Sequence, residues 1–166
     1  MARLKELNVY ERFIMSKLCS NQRIVDVLLN TDKFAVTDFV NYPVPNSDVK
    51  FRNIFPYAYV PDIAQDASVF VCYTVYASYV YNKTFKEISV AFHVFAEQSL
   101  IVLDETTRIN AITEEIDEMF NQKLDIGLGR LDLYSVDQLY NLPNGYHGKT
   151  IRYVNSEWNA PKRWQT

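Results

Sequence analysis

The sequence predicts an α+β fold: a mixed or antiparallel sheet built round one long β-hairpin and packed against an N-terminal helix and a central helix. Three observations predict it. Apolar residues step by three or four over the first thirty positions and again over 109–120, the spacing of one helix face. Between these segments two long runs alternate with a period of two, the spacing of a strand. The length of 166 residues, with 48% hydrophobic and 22% charged, suits one domain with a sizeable core. That domain is read as 1–158, followed by an extended C-terminal tail at 159–166.

Leu4, Leu7, Tyr10, Ile14 and Leu18 lie on one stripe and predict a first helix ending near Lys17 to Cys19. Ser20 is read as the cap of a shorter helix from about Asn21 to Leu29, which carries Ile24, Val25, Leu28 and Leu29. Residues 41–50, with Pro43, Pro45 and Asn46-Ser47-Asp48, form a turn-rich connector. Ile54 to Pro61 is short and extended, and its prolines belong at a strand edge or end.

Ser68 to Tyr81 then places Val69, Val71, Tyr73, Val75, Ala77, Tyr79 and Tyr81 on one face. Phe85 to Ala96 places Ile88, Val90, Phe92 and Val94 together, and Asn82-Lys83-Thr84 is the polar turn between the two runs. Strands commonly run about five or six residues, so this hairpin is expected to project beyond the core. Ile109, Ile112, Ile116, Met119 and Phe120 form the stripe of the central helix, with Asp104 as its cap. Gly127-Leu128-Gly129 is read as ending that helix and turning into a strand at Leu131 to Tyr134. Leu142 to Gly145 is a turn, and Lys149 to Trp158 a last strand.

Chemistry is harder to find. The net charge of −3 argues against a dedicated nucleic-acid binder, whose affinity rests on clustered Lys and Arg. Four glycines leave little material for a phosphate cradle, and Gly127-Leu128-Gly129 lacks the third glycine of a dinucleotide site. Cys19 and Cys72 are too few and too far apart for a disulfide scaffold or a structural zinc site, and read as free thiols in or near the core. No stretch reaches the roughly 18 apolar residues of a membrane span, and the N-terminus lacks the apolar core of a signal peptide.

The two histidines propose no catalytic set. His93 sits within a strand on the face opposite Phe92 and Val94, and His147 lies in a turn. No enzymatic site, cofactor or metal is expected. Glu114, Glu115, Asp117 and Glu118 lie off the apolar stripe of the central helix and are read as a solvated face. Arrayed round a ring, such a face would make an acidic collar.

The aromatic hairpin is the main anomaly. Tyr73, Tyr76, Tyr79, Tyr81 and Phe85 occupy both faces, whereas a sheet buried on one side needs apolar residues on only one. Either the chain's own helices cover both faces, or another subunit covers one of them, since Tyr is enriched at interfaces. Arg163 and Trp164 in the tail add an aromatic anchor beside an arginine, a frequent pairing at interface hot spots.

This order of elements resembles that of the tail-terminator and neck proteins of tailed bacteriophages. The segments that carry the resemblance are Arg23 to Leu29, Ile54 to Pro61, Phe92 to Ala96, Ile116 to Asn121 and Gly127 to Leu131, within roughly residues 20 to 155. The resemblance implies a structural virion protein, assembled in the bacterial host cytoplasm into a homo-oligomeric ring, commonly a hexamer. Its implied partners are the major tail tube protein and the head-completion or connector protein. Genomic DNA would pass through the ring without sequence-specific binding, and no membrane is involved. Alternative readings are another neck or head-completion protein, and a small cytoplasmic ligand-binding or regulatory domain.

Overall fold

A computed structural model of the chain describes residues 4–29, 49–61, 68–81, 85–103, 105–123, 129–143 and 145–158. The elements are α1 (Leu4–Ser20), α2 (Gln22–Leu29), β1 (Ile54–Phe55), β2 (Val69–Tyr81) and β3 (Phe85–Glu97), then α3 (Arg108–Phe120), β4 (Asp132–Leu139) and β5 (Tyr146–Trp158). The strands form one five-stranded sheet in the order β1-β2-β3-β5-β4. β1 is parallel to β2, and every other neighbouring pair is antiparallel. The chain is α+β, with the helices packed on a mixed sheet, as predicted.

The helix layer lies on one face of that sheet. Val71, Tyr73, Val90, Phe92, Ile151 and Tyr153 look inward from β2, β3 and β5 to meet Ile14 and Leu18 of α1, Ile24 and Leu28 of α2, and Ile112, Ile116 and Phe120 of α3. Phe92 is central, its ring centroid 5.0 Å from Phe120 and 6.0 Å edge-on from Tyr153. Each such side chain contributes about 1.5–3 kcal/mol by leaving water, so the 3–4 spacing of the helices and the alternation of the strands select the same interior.

Two cations tie the helices together through backbone carbonyls. Arg108, 1% exposed at the start of α3, donates to the Val27 carbonyl of α2 at 3.0 Å. Lys17 of α1 donates to the Met119 carbonyl near the end of α3 at 3.2 Å. Both satisfy acceptors that a helix end otherwise leaves without an intrahelical partner.

Several expected boundaries shift, each for a local reason. Ser20 does not cap α2: its hydroxyl donates back to the Lys17 carbonyl, and Asn21 accepts from the Ile24 N–H at 3.1 Å instead. The cap of α3 is Thr107, which accepts from the Asn110 N–H at 3.1 Å, while Asp104 lies outside the described residues. α3 stops at Phe120, before the glycines that were expected to end it. Asn121 is its C-cap and Gln122 takes a left-handed φ of 57°. Gly129, with φ of 73°, leads into β4. β4 reaches Leu139, well past Tyr134, and β5 begins at Tyr146, before Lys149. Main-chain pairing with an interior partner sustains both extensions despite weak apolar alternation.

The hairpin is present, and its turn at Asn82 to Thr84 lies outside the described residues. Its pairing slips by one residue between Ala77 and Val80, so the single-face alternation expected from Val69 through Tyr81 does not carry to the end. Gly148 of β5 sits opposite Phe95. A Cβ there would come within 2.5 Å of the Val94 carbonyl and 2.7 Å of the Phe95 side chain.

Candidate functional site

One end of the sheet face away from the helices is closed by a second apolar cluster among the described residues. There Phe55, Phe70, Cys72 and Phe95 form a second small core with Tyr59, Leu139, Leu142 and Tyr146. Phe55 stacks on Tyr59 with ring centroids 4.2 Å apart, and Phe95 meets Tyr146 edge-on at 6.1 Å. The loops around β1 and between β4 and β5 thus cover what helices leave bare. Burial pushes the Cys72 thiol up to about 11, so it stays protonated and inert at neutral pH. Cys19 and Cys72 are both free thiols, as the sequence suggested.

Further along, the same face carries polar and aromatic side chains in rungs. His93 meets Thr150 across β3 and β5, ring Nδ1 to hydroxyl at 2.9 Å, and burial lowers the imidazole pKa. Thr74, Ala91, Arg152 and Ser135 make the next rung. The Arg152 guanidinium lies between two tyrosine rings, 5.5 Å from the centroid of Tyr76 and 4.9 Å from that of Tyr134. It donates to the Ser89 hydroxyl at 3.3 Å, and its Nε finds no partner among the described residues. Ser89 is fully buried beneath this stack. Stacked this way the guanidinium fixes two tyrosines as a rigid patch.

The structure distributes the predicted interface residues unevenly. Tyr73 is not at a surface: it is fully buried, and its hydroxyl donates to the Glu11 carbonyl of α1 at 2.7 Å. The alternation of β2 directs it into the helix layer with Val71 and Val75. Tyr76 lies on the other face, half-buried against Arg152. The backbone pairs Tyr81 with Phe85, and Phe85 with Trp158, at the far end of the hairpin. The side chains of Tyr79, Tyr81 and Phe85, and the whole of Arg163 and Trp164, lie outside the described residues.

The acidic face divides. Glu114 and Glu118 are exposed, as expected of a solvated face. Glu115 is not: it is 8% exposed, 2.6 Å from Arg23 and 3.2 Å from the Asn21 amide. Asp117 turns inward as well, accepting from the Tyr153 hydroxyl at 2.8 Å and from the Asn121 amide at 3.3 Å. Burial first, and then Asp117, push the Tyr153 phenol far up. α2 packs beside α3 and β5 passes beneath it, so two of the four carboxylates fasten α3 in place. Among the described residues no three His, Cys, Asp or Glu side chains gather where a metal could sit.

One surface feature had no counterpart in the sequence reading. β4 is an edge strand. Leu133 (43% exposed), Tyr134 (64%), Val136 (47%) and the following Tyr140 (78%) are a concentrated share of the exposed large hydrophobics. Leu133 pairs with Tyr153 and Val136 with Ile151, so both stand on the helix side of the sheet, beyond the cover of α3. The readable signal was the run Leu133-Tyr134-Ser135-Val136, apolar on both strand faces.

Among the described residues these features define a two-layer α+β domain with an apolar sheet edge at β4 and with Glu115, Asp117, Lys17 and Arg108 engaged in holding its helices. The chain belongs to the YomW family, whose model matches residues 21–155. No curated protein matches it.

Proposed function

We propose that the protein is a structural subunit of the phage neck, a tail terminator that caps the tail tube as a homohexameric ring and joins it to the head connector. The observation that carries this reading is the open β4 edge with its exposed Leu133, Tyr134, Val136 and Tyr140, since a subunit made to assemble leaves apolar surface that a solitary domain would cover. Membership of the YomW family, a name of phage type, supports the virion setting. A ring needs one surface that fits a different surface of the next copy. The major tail tube protein lies on one side of such a ring and the head-completion protein on the other. DNA crosses it without sequence-specific contacts, in keeping with the net charge of −3.

Deletion of the gene from the phage tests this directly. The expected result is filled heads that carry no tails, beside tail tubes of unregulated length. Virions of normal form, or a block before head completion, would remove the protein from this place in the neck.

A further inference from the structure

We infer that β4 of one copy pairs with the free edge of β2 in a second copy, head to tail, so that the sheet runs on from subunit to subunit. This deepens the ring reading and rests on it. Among the described residues both edges are open. Beyond Cys72, where β1 ends its pairing, no strand among the described residues borders β2, and none borders the outer side of β4.

Neither edge carries Lys or Pro, and each has a single bulge, between Ala77 and Val80 in β2 and between Leu133 and Ser135 in β4. β2 has no charged residue between Val69 and Tyr81. Of the two carboxylates of β4, Asp132 is held by Arg130 at 3.0 Å, and Asp137, opposite Thr150, stands exposed on the face away from the helices.

Direction and face both agree with a second copy as the occupant. β2, β3, β5 and β4 alternate in direction, so β4 runs opposite to β2. A copy placed beside β4 in the same orientation therefore continues the antiparallel order with the part of its β2 beyond Cys72, where β1 no longer intervenes. It also keeps its helices on the same side of the sheet. Its α1, which packs over β1 and β2 and exposes Val9 (57%), then lies above the uncovered Leu133 and Val136. A two-fold pairing of β4 with β4 would leave those two side chains without a helix above them. Head-to-tail order covers them.

Within one chain Thr74 and Ser135 lie on the same rung, three strand spacings apart. At about 4.8 Å per spacing that is roughly 14 Å, too far for a disulfide. Between neighbouring copies the inference brings them together. The test combines Ser135→Cys with Thr74→Cys in the full chain, and separately with Tyr76→Cys one rung along. Native mass spectrometry reads the ring, and a non-reducing gel after mild oxidation reads the links. The expected result is a ladder of covalent multimers from at least one double variant, absent from every single variant. Leu133→Lys with Val136→Lys, at exposed positions, should keep the circular dichroism spectrum and lose the ring. A ring that persists in the lysine variant and yields no ladder overturns the edge pairing and leaves the ring standing. A wild-type chain that stays monomeric even with tail tubes supplied overturns both.

Discussion

At the residue scale, several ionisable groups hold the fold together, among them Lys17, Arg108, Glu115 and Asp117. His93 shows the consequence for pH. Burial disfavours its imidazolium, so the folded pKa lies below the unfolded value of about 6.5. As pH falls through that unfolded value, the unfolded chain takes up the proton first. Stability then declines until the folded pKa is passed, and levels off below it. Replacing His93 with Gln, which keeps a partner for the Thr150 hydroxyl, should flatten that part of the curve between pH 7 and pH 5. Urea unfolding of both proteins at each pH checks this, and an unchanged slope would refute it. The same exchange, and His147→Gln at an exposed position, should leave assembly nearly unchanged.

At the element scale, the small second core depends on a backbone position without a side chain. Phe95 can lie across β5 toward Tyr146 because Gly148 offers no Cβ to block it. Gly148→Ala would press a methyl group against the Val94 carbonyl and the Phe95 side chain, and overpacking of this kind costs about 1–3 kcal/mol. The expected result is a lower thermal midpoint, with the loss largest for the loops that carry Tyr59 and Leu142. A midpoint equal to wild type would mean that β5 shifts at no cost.

How much of each element was legible depends on what dictates it. Ile14, Leu18, Ile112, Ile116 and Phe120 repeat at helix spacing and face the core, so α1 and α3 were readable from pattern alone. The β2–β3 pair was readable for the same reason. Glu115 and Asp117 were not, because their inward turn depends on Arg23 and Tyr153, which are distant in sequence and adjacent only once α2 and β5 are in place. The full length of β4 was hidden too, since an edge strand is ordered by its partner's main chain. Arg152 alternates with Ile151 and Tyr153 along β5, and only the register of β4 and β2 places tyrosines on either side of it.

At the scale of the whole molecule, the proposed place in the neck should read out as length control. If the tail at 159–166 reaches a neighbour or the connector, a chain ending at Trp158 should fold with an unchanged circular dichroism spectrum and still give tails that join heads poorly. Electron microscopy of lysates complemented with the truncated gene measures tail length and the fraction joined. Normal values for both would show that the tail has no part in it.

The crossed lysine and arginine ties have a further consequence for motion. Lys17 joins α1 to the far end of α3, and Arg108 joins the near end of α3 to α2. No helix can lift from the sheet without breaking a tie to another, so the layer should open as one cooperative unit. Amide hydrogens buried in all three helices should then exchange with solvent through a common opening of similar free energy, and Arg108→Met should lower it for all three together. The outer amides of β4, which no such tie secures, should exchange far sooner in the free subunit and slow sharply once a neighbour is bound. The same solvent clock would therefore time two events, the breathing of a locked helical lid and the closing of a gap between subunits.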